Sequence, residues 1–362
     1  MGGGFVKCKV IDENMRRHLG DFAFYDEAKA QELSSLGLVE VPSEAGGESD
    51  SLTRDTHTGR APASPPSGAP TYLTRGAGYR EDSVGYRVAW IQDFSKVGGA
   101  ELSNYEVVRV GEDIGYDIIG VTPSLFDTRA LEQADIVIVN NCFEFSGPQL
   151  TTIRQFLHEK RVPYVKYEHD YRELRRLNIS RPLFRDASLV VFISPRHRDE
   201  HGASLGWEAT ARSICLPLAM NPDIYGPVKG VEREKGLTLV PALKKVDPKV
   251  LEKYLDENPR RDLLLLGQCQ APLPAGRVRH HKKVPTTDMP AVYSQCEFML
   301  HQPRQKWAGE RIYFEALLCG CEPIVNDNVG HASWDYDRND LSQVLAEAPT
   351  TFWGAVEEVL HG

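Results

Sequence analysis

The chain has 362 residues, 41% hydrophobic and 26% charged, with a formal net charge of −9. That composition is globular and the length allows two or three domains. No apolar run approaches the roughly 20 residues a membrane-crossing helix requires, and the net acidity argues against nonspecific nucleic-acid binding by the whole surface.

The first residues, MGGGFVK, lack the apolar core of a signal peptide, and Val6 stands where a myristoylation motif wants Ser or Thr. Phe5 to Ile11 alternates as a strand should, Asp26 is placed to cap a helix through Leu36, and Gly37 ends it before a second strand, Leu38 to Val41. Residues 1–42 therefore read as a small α+β accessory module with a thin core, with a short resemblance to modules of phage-encoded proteins. Residues 43–80, rich in Gly, Ser, Pro and Thr and almost without apolar side chains, read as a flexible linker.

From Tyr86 the pattern changes to strands alternating with helices. The predicted strands are Arg87–Ile91, Tyr116–Val121, Asp135–Asn140, Pro163–Tyr167 and Leu189–Ile193, with helices beginning near Ala100 and running from about Pro148 to Glu159. After an irregular crossing near Pro217 to Pro227, a second series has strands Leu237–Val240, Leu263–Leu266, Phe298–Leu300 and Pro323–Val325. Near-continuous apolar strands separated by helices mean buried parallel sheets. The expectation is an α/β chain with two Rossmann-like, doubly wound domains facing a cleft, at 81–220 and 221–362.

Three stretches carry candidate chemistry. Gly98-Gly99 precedes a helix, where free backbone N–H groups and the absence of a side chain suit an anion. The spacing is not the GxGxxG dinucleotide fingerprint. Glu168-His169-Asp170-Tyr171 closes a buried strand, the edge at which open sheets bind ligands, and a carboxylate next to a histidine can fix its tautomer. In KWAGERIYFEALLCGCEPIVND, residues 306–327, Glu315 lies among apolar neighbours and can clamp a vicinal diol, while Arg311 one turn earlier can face phosphate.

Seven cysteines, an odd number, fit a reduced cytoplasmic protein, in the host cytoplasm if the source is viral. Cys319-Gly-Cys321 is too tight for a zinc pair. Two basic stretches, Lys160–Arg185 and Arg277–Lys283, are candidates for a local groove or for solvated faces. Asp335-Tyr336-Asp337 follows the last strand and reads as a surface turn rather than a metal site.

Taken in order, "GGAE" (98–101), "EHDY" (168–171), "VVFISPRH" (190–197), "ICLPLAMNPDIYGP", "VPTTDMPAVYSQCEFMLHQP" and "GERIYFEALLCGCEPIVNDNVG" resemble the motifs of GT-B glycosyltransferases. The resemblance is nearest to the retaining, family-four-like enzymes of the glycogen synthase and phosphorylase clan, and covers about 85–340. It implies a nucleotide-sugar donor held mainly by the second domain, retention without a protein nucleophile, and no metal or other cofactor. Glu315 would hold the ribose, with Glu310 near the sugar. Arg311 and the turn at Asn328 and Gly330 would face the diphosphate, Gly98 and Gly99 would approach from the first domain, and His169 and Asp170 would sit near the transferred sugar. The sequence departs from the family at Trp307, where an acidic residue is usual, and lacks the usual basic pair, for which Lys244-Lys245 is the nearest substitute. A hydroxymethylated DNA base and a glycan are the acceptor classes considered. The rival readings are a nucleotide-sugar epimerase and a non-catalytic adaptor on a degenerate GT-B scaffold.

Overall fold

The structure, a computed structural model, describes residues 85–93, 99–124, 126–172, 174, 177–267, 273, 276–281, 284–335 and 337–362, together with three short strands nearer the amino terminus. Those strands, β1 (Phe5–Val10), β2 (Phe22–Asp26) and β3 (Val39–Glu40), form an antiparallel sheet in the order β2-β1-β3. Strand β2 was not expected from the sequence. The helix read from Asp26 to Leu36, the linker 43–80 and Gly98 lie outside the described residues.

The rest of the chain, from Gly78 onward, is a separate compact unit built on two sheets. The first is six-stranded and wholly parallel, in the order β5-β4-β6-β7-β8-β9. Its strands are β4 (Arg87–Ile91), β5 (Asp117–Val121), β6 (Ile136–Val139), β7 (Tyr164–Glu168), β8 (Leu189–Phe192) and β9 (Ser213–Cys215). Every residue of the run IVIV in β6 is buried, as a central strand covered on both faces requires. The second sheet, also parallel, has the order β12-β11-β10-β13-β14: β10 (Glu234–Val240), β11 (Asp262–Leu266), β12 (Val278–His281), β13 (Cys296–His301) and β14 (Glu322–Val325). The predicted strands of both series are present. Strands β9 and β12 were not anticipated: the first is short and half-buried, and the second lies on the sheet's edge and, after Val278, is polar and exposed.

The helices that matter below are α1 (Gly99–Asp113), α2 (Thr128–Glu132), α3 (Gly147–Lys160), α4 (Leu177–Arg185), α5 (Pro195–Leu205), α6 (Pro248–Glu257), α7 (Met289–Gln295), α8 (Arg311–Leu318) and α9 (Leu341–His361). Their starts follow local chemistry. Ser146 and Gln149 make a reciprocal capping box for α3, and Ser194 caps α5 by accepting from His197 N at 3.1 Å.

Helix α9 alters the expected domain boundary. Its first turns, Leu341 and Leu345, pack in the second domain's core, but Phe352, Trp353 and Val356 belong to the core beneath the first sheet with Val88, Trp90 and Val107. The Trp353 ring stacks on Tyr116 at 4.5 Å, and its Nε1 donates to Val107 O at 2.7 Å. The segment assigned to 221–362 thus ends in the first domain, because the apolar face of α9 completes that core. Gly111 on α1 makes room for it: a Cβ there would lie 2.3 Å from the Trp353 ring. We expect Gly111→Ala to lower unfolding free energy by about 1–3 kcal/mol through overpacking, measurable by urea titration, whereas Gly147→Ala, where no atom lies within 4 Å of the added carbon, should change it little.

Candidate functional site

In an open parallel sheet the ligand crevice forms beyond the carboxyl ends of the strands, where the strand order reverses. The first sheet reverses between β4 and β6, the second between β10 and β13. Both carboxyl edges are tied together. Ser194, after β8, donates to Ala308 O at 2.6 Å; Trp334 Nε1 donates to Ile193 O at 3.0 Å; Arg196 N donates to Ser333 Oγ at 3.2 Å.

On the first edge a chain of buried amides fixes the loops. Trp90 Nε1 and Asn104 Nδ2 both donate to Gln92 Oε1, at 2.7 and 2.8 Å. Asn140 Nδ2 donates to Asn104 Oδ1 at 2.8 Å, Asn140 Oδ1 accepts from Asn141 N at 2.6 Å, and Asn141 Oδ1 accepts from His169 N at 3.0 Å. This network sets the backbone of His169, whose ring packs on Tyr167 with centroids 4.2 Å apart. Neither ring nitrogen has a hydrogen-bond partner. Burial, then the charges of Lys166 and His331, push the imidazole down to about 3, so it is neutral at physiological pH. Asp170 does not orient it. Its carboxylate accepts from Arg172 N and Nε, at 2.6 and 2.5 Å, closing the turn.

On the second edge, Lys245 follows β10 and His301 ends β13. Lys245 Nζ lies 2.7 Å from Glu310 Oε1 and 3.5 Å from the centroid of the Trp307 ring, and His301 Nε2 is 3.6 Å from the same carboxylate oxygen. Burial raises the Glu310 carboxyl, but His301 and the Lys245 ammonium outweigh it and hold it below the usual carboxylate range. Lys245 keeps 31% of its side chain exposed, whereas the neighbouring Lys244 is solvent-exposed. Trp307, in place of the usual acid, offers an aromatic face to a cation.

The remaining expected residues make contacts within the fold. Arg311 is buried: Nε donates to Glu315 Oε1 at 3.1 Å, and Nη1 donates to Ser103 Oγ at 3.2 Å and Ala219 O at 3.3 Å. Glu315, read as a ribose clamp, is engaged on both oxygens, since Oε2 accepts from Tyr293 OH at 3.1 Å. Gly99 meets this pair from the first domain, with room for a Cβ 3.5 Å from Arg311 Cβ. Gly330 is a packing glycine: a Cβ would fall 1.9 Å from Ala308 O, and its N–H donates to Trp307 O at 2.9 Å. Asn328 braces its loop by donating to Pro303 O at 2.8 Å.

Among the described residues of the two basic stretches, several side chains are paired within the fold. Arg277 donates to the carbonyls of Leu255, Asn258 and Arg261, Arg279 pairs with Glu234, Lys166 is buried against Glu168, and Arg185 pairs with Asp186. A cavity of about 580 Å³ lined by Arg154, His158, Arg161 and Tyr164 lies at the amino edge of the first sheet, the edge opposite the strand ends. The sequence reading missed His301, although it lies within the quoted segment VPTTDMPAVYSQCEFMLHQP, and His331, which directly follows the last quoted segment. It also missed the His197 and His201 pair, for which a helical i, i+4 spacing was available.

No protein-family model matches the chain, and no curated protein matches it. Solved structures do. The HepE protein of Anabaena, in complex with UDP and glucose, is 13% identical at a TM-score of 0.51, over 76% of this chain and 97% of that one. The same protein in complex with UDP is 16% identical, at 0.51, over 76% and 92%. Sucrose-phosphate synthase from Thermosynechococcus elongatus is 12% identical, at 0.52, over 76% and 92%. The likeness is one of fold: the chain has the GT-B architecture of two Rossmann-like domains.

Breaking a buried ion pair on one side leaves an uncompensated charge. Glu315→Ala should therefore cost about 3–5 kcal/mol of unfolding free energy, and the double variant Arg311→Met, Glu315→Leu distinctly less, by urea titration. His331 gives a pH signature. Burial, opposed by the backbone bond to Glu310 and by its charge, lowers it to about 4. The unfolded chain, with an ordinary value near 6.5, takes up that proton first. The contribution is whole above about 6.5 and is lost as pH falls toward 4. Between pH 7 and 4.5, His331→Phe should lose about 2 kcal/mol less stability than the parent protein.

Proposed function

We propose that the chain is a glycosyltransferase that moves a sugar from a nucleotide-sugar donor to an acceptor hydroxyl, with retention and without a metal in the transfer step. The observation that carries this reading is the placement of Lys245, Glu310 and His169 at the carboxyl edges of two facing parallel sheets. Lys245 and Glu310 lie at the switch point of the second. The UDP and glucose named with the HepE structure support the donor class.

The chemistry asked of the protein is placement and charge. A leaving diphosphate needs cations and N–H donors fixed where its charge develops. Lys245 supplies an ammonium that is partly exposed yet already oriented by Glu310 and Trp307. The amino end of α8 adds its dipole, since Glu310 makes no side-chain cap there. His169, neutral and buried, keeps two ring nitrogens that no protein group uses. In this reading Glu310, not Glu315, is the carboxylate that meets the donor, and Glu315 stays in the domain interface. The leaving diphosphate itself takes the acceptor proton, so no side-chain nucleophile is required. Arg277 is turned inward onto three backbone carbonyls, and we favour a glycan hydroxyl as acceptor.

A second reading, a binding or adaptor protein on a degenerate scaffold, draws on Trp307 in the usual acidic position and on the closed Arg311–Glu315 pair. One series of measurements separates the two. A donor at 100 times its Kd stabilises by about 2.7 kcal/mol, a rise of a few degrees in Tm. We expect that rise with one nucleoside diphosphate and its sugars, mostly lost in Lys245→Ala, and sugar transfer to a glycan with the donor's anomeric configuration kept. Binding without transfer to glycan or hydroxymethylated DNA favours the adaptor, donor interconversion without acceptor means an epimerase, and absence of any shift sinks both nucleotide-dependent readings.

A further inference from the structure

Helix α5 carries His197 and His201 one turn apart, on one face. Glu168 ends β7 next to them. One ligand-capable atom of each of the three lies within 4.8 Å of the others, and all three residues are buried. The rings are held as metal-ligating histidines are held, by a carbonyl on the far nitrogen: His197 Nε2 is 3.1 Å from Asp170 O, and His201 Nδ1 is 3.0 Å from His197 O. A ring nitrogen facing a carbonyl carries the proton, so in each neutral ring the other nitrogen keeps a bare lone pair. Those nitrogens, His197 Nδ1 and His201 Nε2, have no hydrogen-bond partner. Packing on Tyr171, Phe184 and Phe192 accounts for the burial of the rings. It does not account for two buried lone pairs without a donor.

We propose that Glu168, His197 and His201 bind a single zinc ion that fastens α5 to the end of β7. Two nitrogens and a carboxylate oxygen are a donor set that zinc accepts, with water in the fourth position. Ligands about 2.1 Å from a tetrahedral zinc lie about 3.4 Å apart, so the three close on the ion by small side-chain rotations. The competing cation is part of the chain. Lys166 Nζ is 2.5 Å from Glu168 Oε2 and 3.1 Å from Asn140 O, fully buried. Without metal this ammonium balances Glu168; zinc binds in exchange for one Lys166 proton released to solvent, and the neutral amine keeps its bond to Asn140 O. The site makes no contact with the reaction proposed above, and its role is to set the loop that starts with His169.

The test uses the full chain, stripped with chelator and then given zinc chloride or cobalt chloride alone. We expect zinc to be retained on purification at one ion per chain, cobalt to give the visible bands of a tetrahedral site, and Tm to be several degrees higher with zinc than with chelator. His201→Gln should abolish the bands and the difference in Tm. Lys166→Met, which leaves Glu168 without its cation, should melt lower than the parent in chelator and recover with zinc. The paired change His280→Ala, His281→Ala on the exposed edge strand β12 should alter none of this. A Lys166→Met protein equally unstable with zinc and chelator would falsify the proposal, as would a parent chain with no cobalt bands, or bands lost with His280 and His281. If His201→Gln does not fold, the parent's cobalt spectrum and the zinc response of Lys166→Met still decide.

Discussion

The Arg311–Glu315 pair governs the arrangement of the larger unit. A guanidinium and a carboxylate withdrawn from water must find partners or force the protein apart, and here the partners come from both domains. Arg311 reaches Ser103 on α1 and the carbonyl of Ala219 at the crossing between the sheets, while Glu315 takes its second bond from Tyr293 on α7. Such a pair adds little net stability over apolar packing, but leaving either partner unpaired is costly, so the domains meet where both are satisfied. Once α8 is fixed, Glu310 at its amino end and the loop through Trp307 are fixed with it.

That arrangement gives the candidate site its electrostatic character. Lys245, Glu310 and Trp307 form a preset cluster in which the cation is oriented before any ligand arrives, so little side-chain order is lost when an anion joins it. The opposite wall is different in kind. His169 rests on a scaffold of amides and its own ring nitrogens are unspent. One wall therefore offers charge already balanced and the other offers hydrogen-bonding capacity not yet used, a division suited to a ligand with an anionic half and a polyhydroxylated half.

Much of this was legible in the sequence. Runs such as IVIV and LLLL, with helices between them, determine parallel sheets, because only strands buried on both faces tolerate such continuity. The carboxyl-edge position of His169 followed from the same pattern. Pairings across the domains were not legible. Glu315 reads as a ligand contact because its neighbours are apolar, and the same apolar surroundings are what a carboxylate buried against Arg311 needs. Gly330 similarly reads as a ligand-facing glycine, although the tight approach it permits is to Ala308 O. A local signal says that a polar or small residue sits in an unusual place; which partner makes it necessary is a long-range fact. The edge strand β12 stayed hidden for the opposite reason, since a strand exposed on its edge has no apolar pattern to read.

The return of α9 to the first sheet has a consequence during synthesis. The strands from Arg87 to Cys215 leave the ribosome well before Phe352, Trp353 and Val356 do. Until then the face that holds Trp90, Tyr116 and Val107 has no cover. The first domain is therefore made early and finished late, and an incomplete chain displays a broad aromatic surface of the kind that holdase chaperones retain and that associates with other nascent chains.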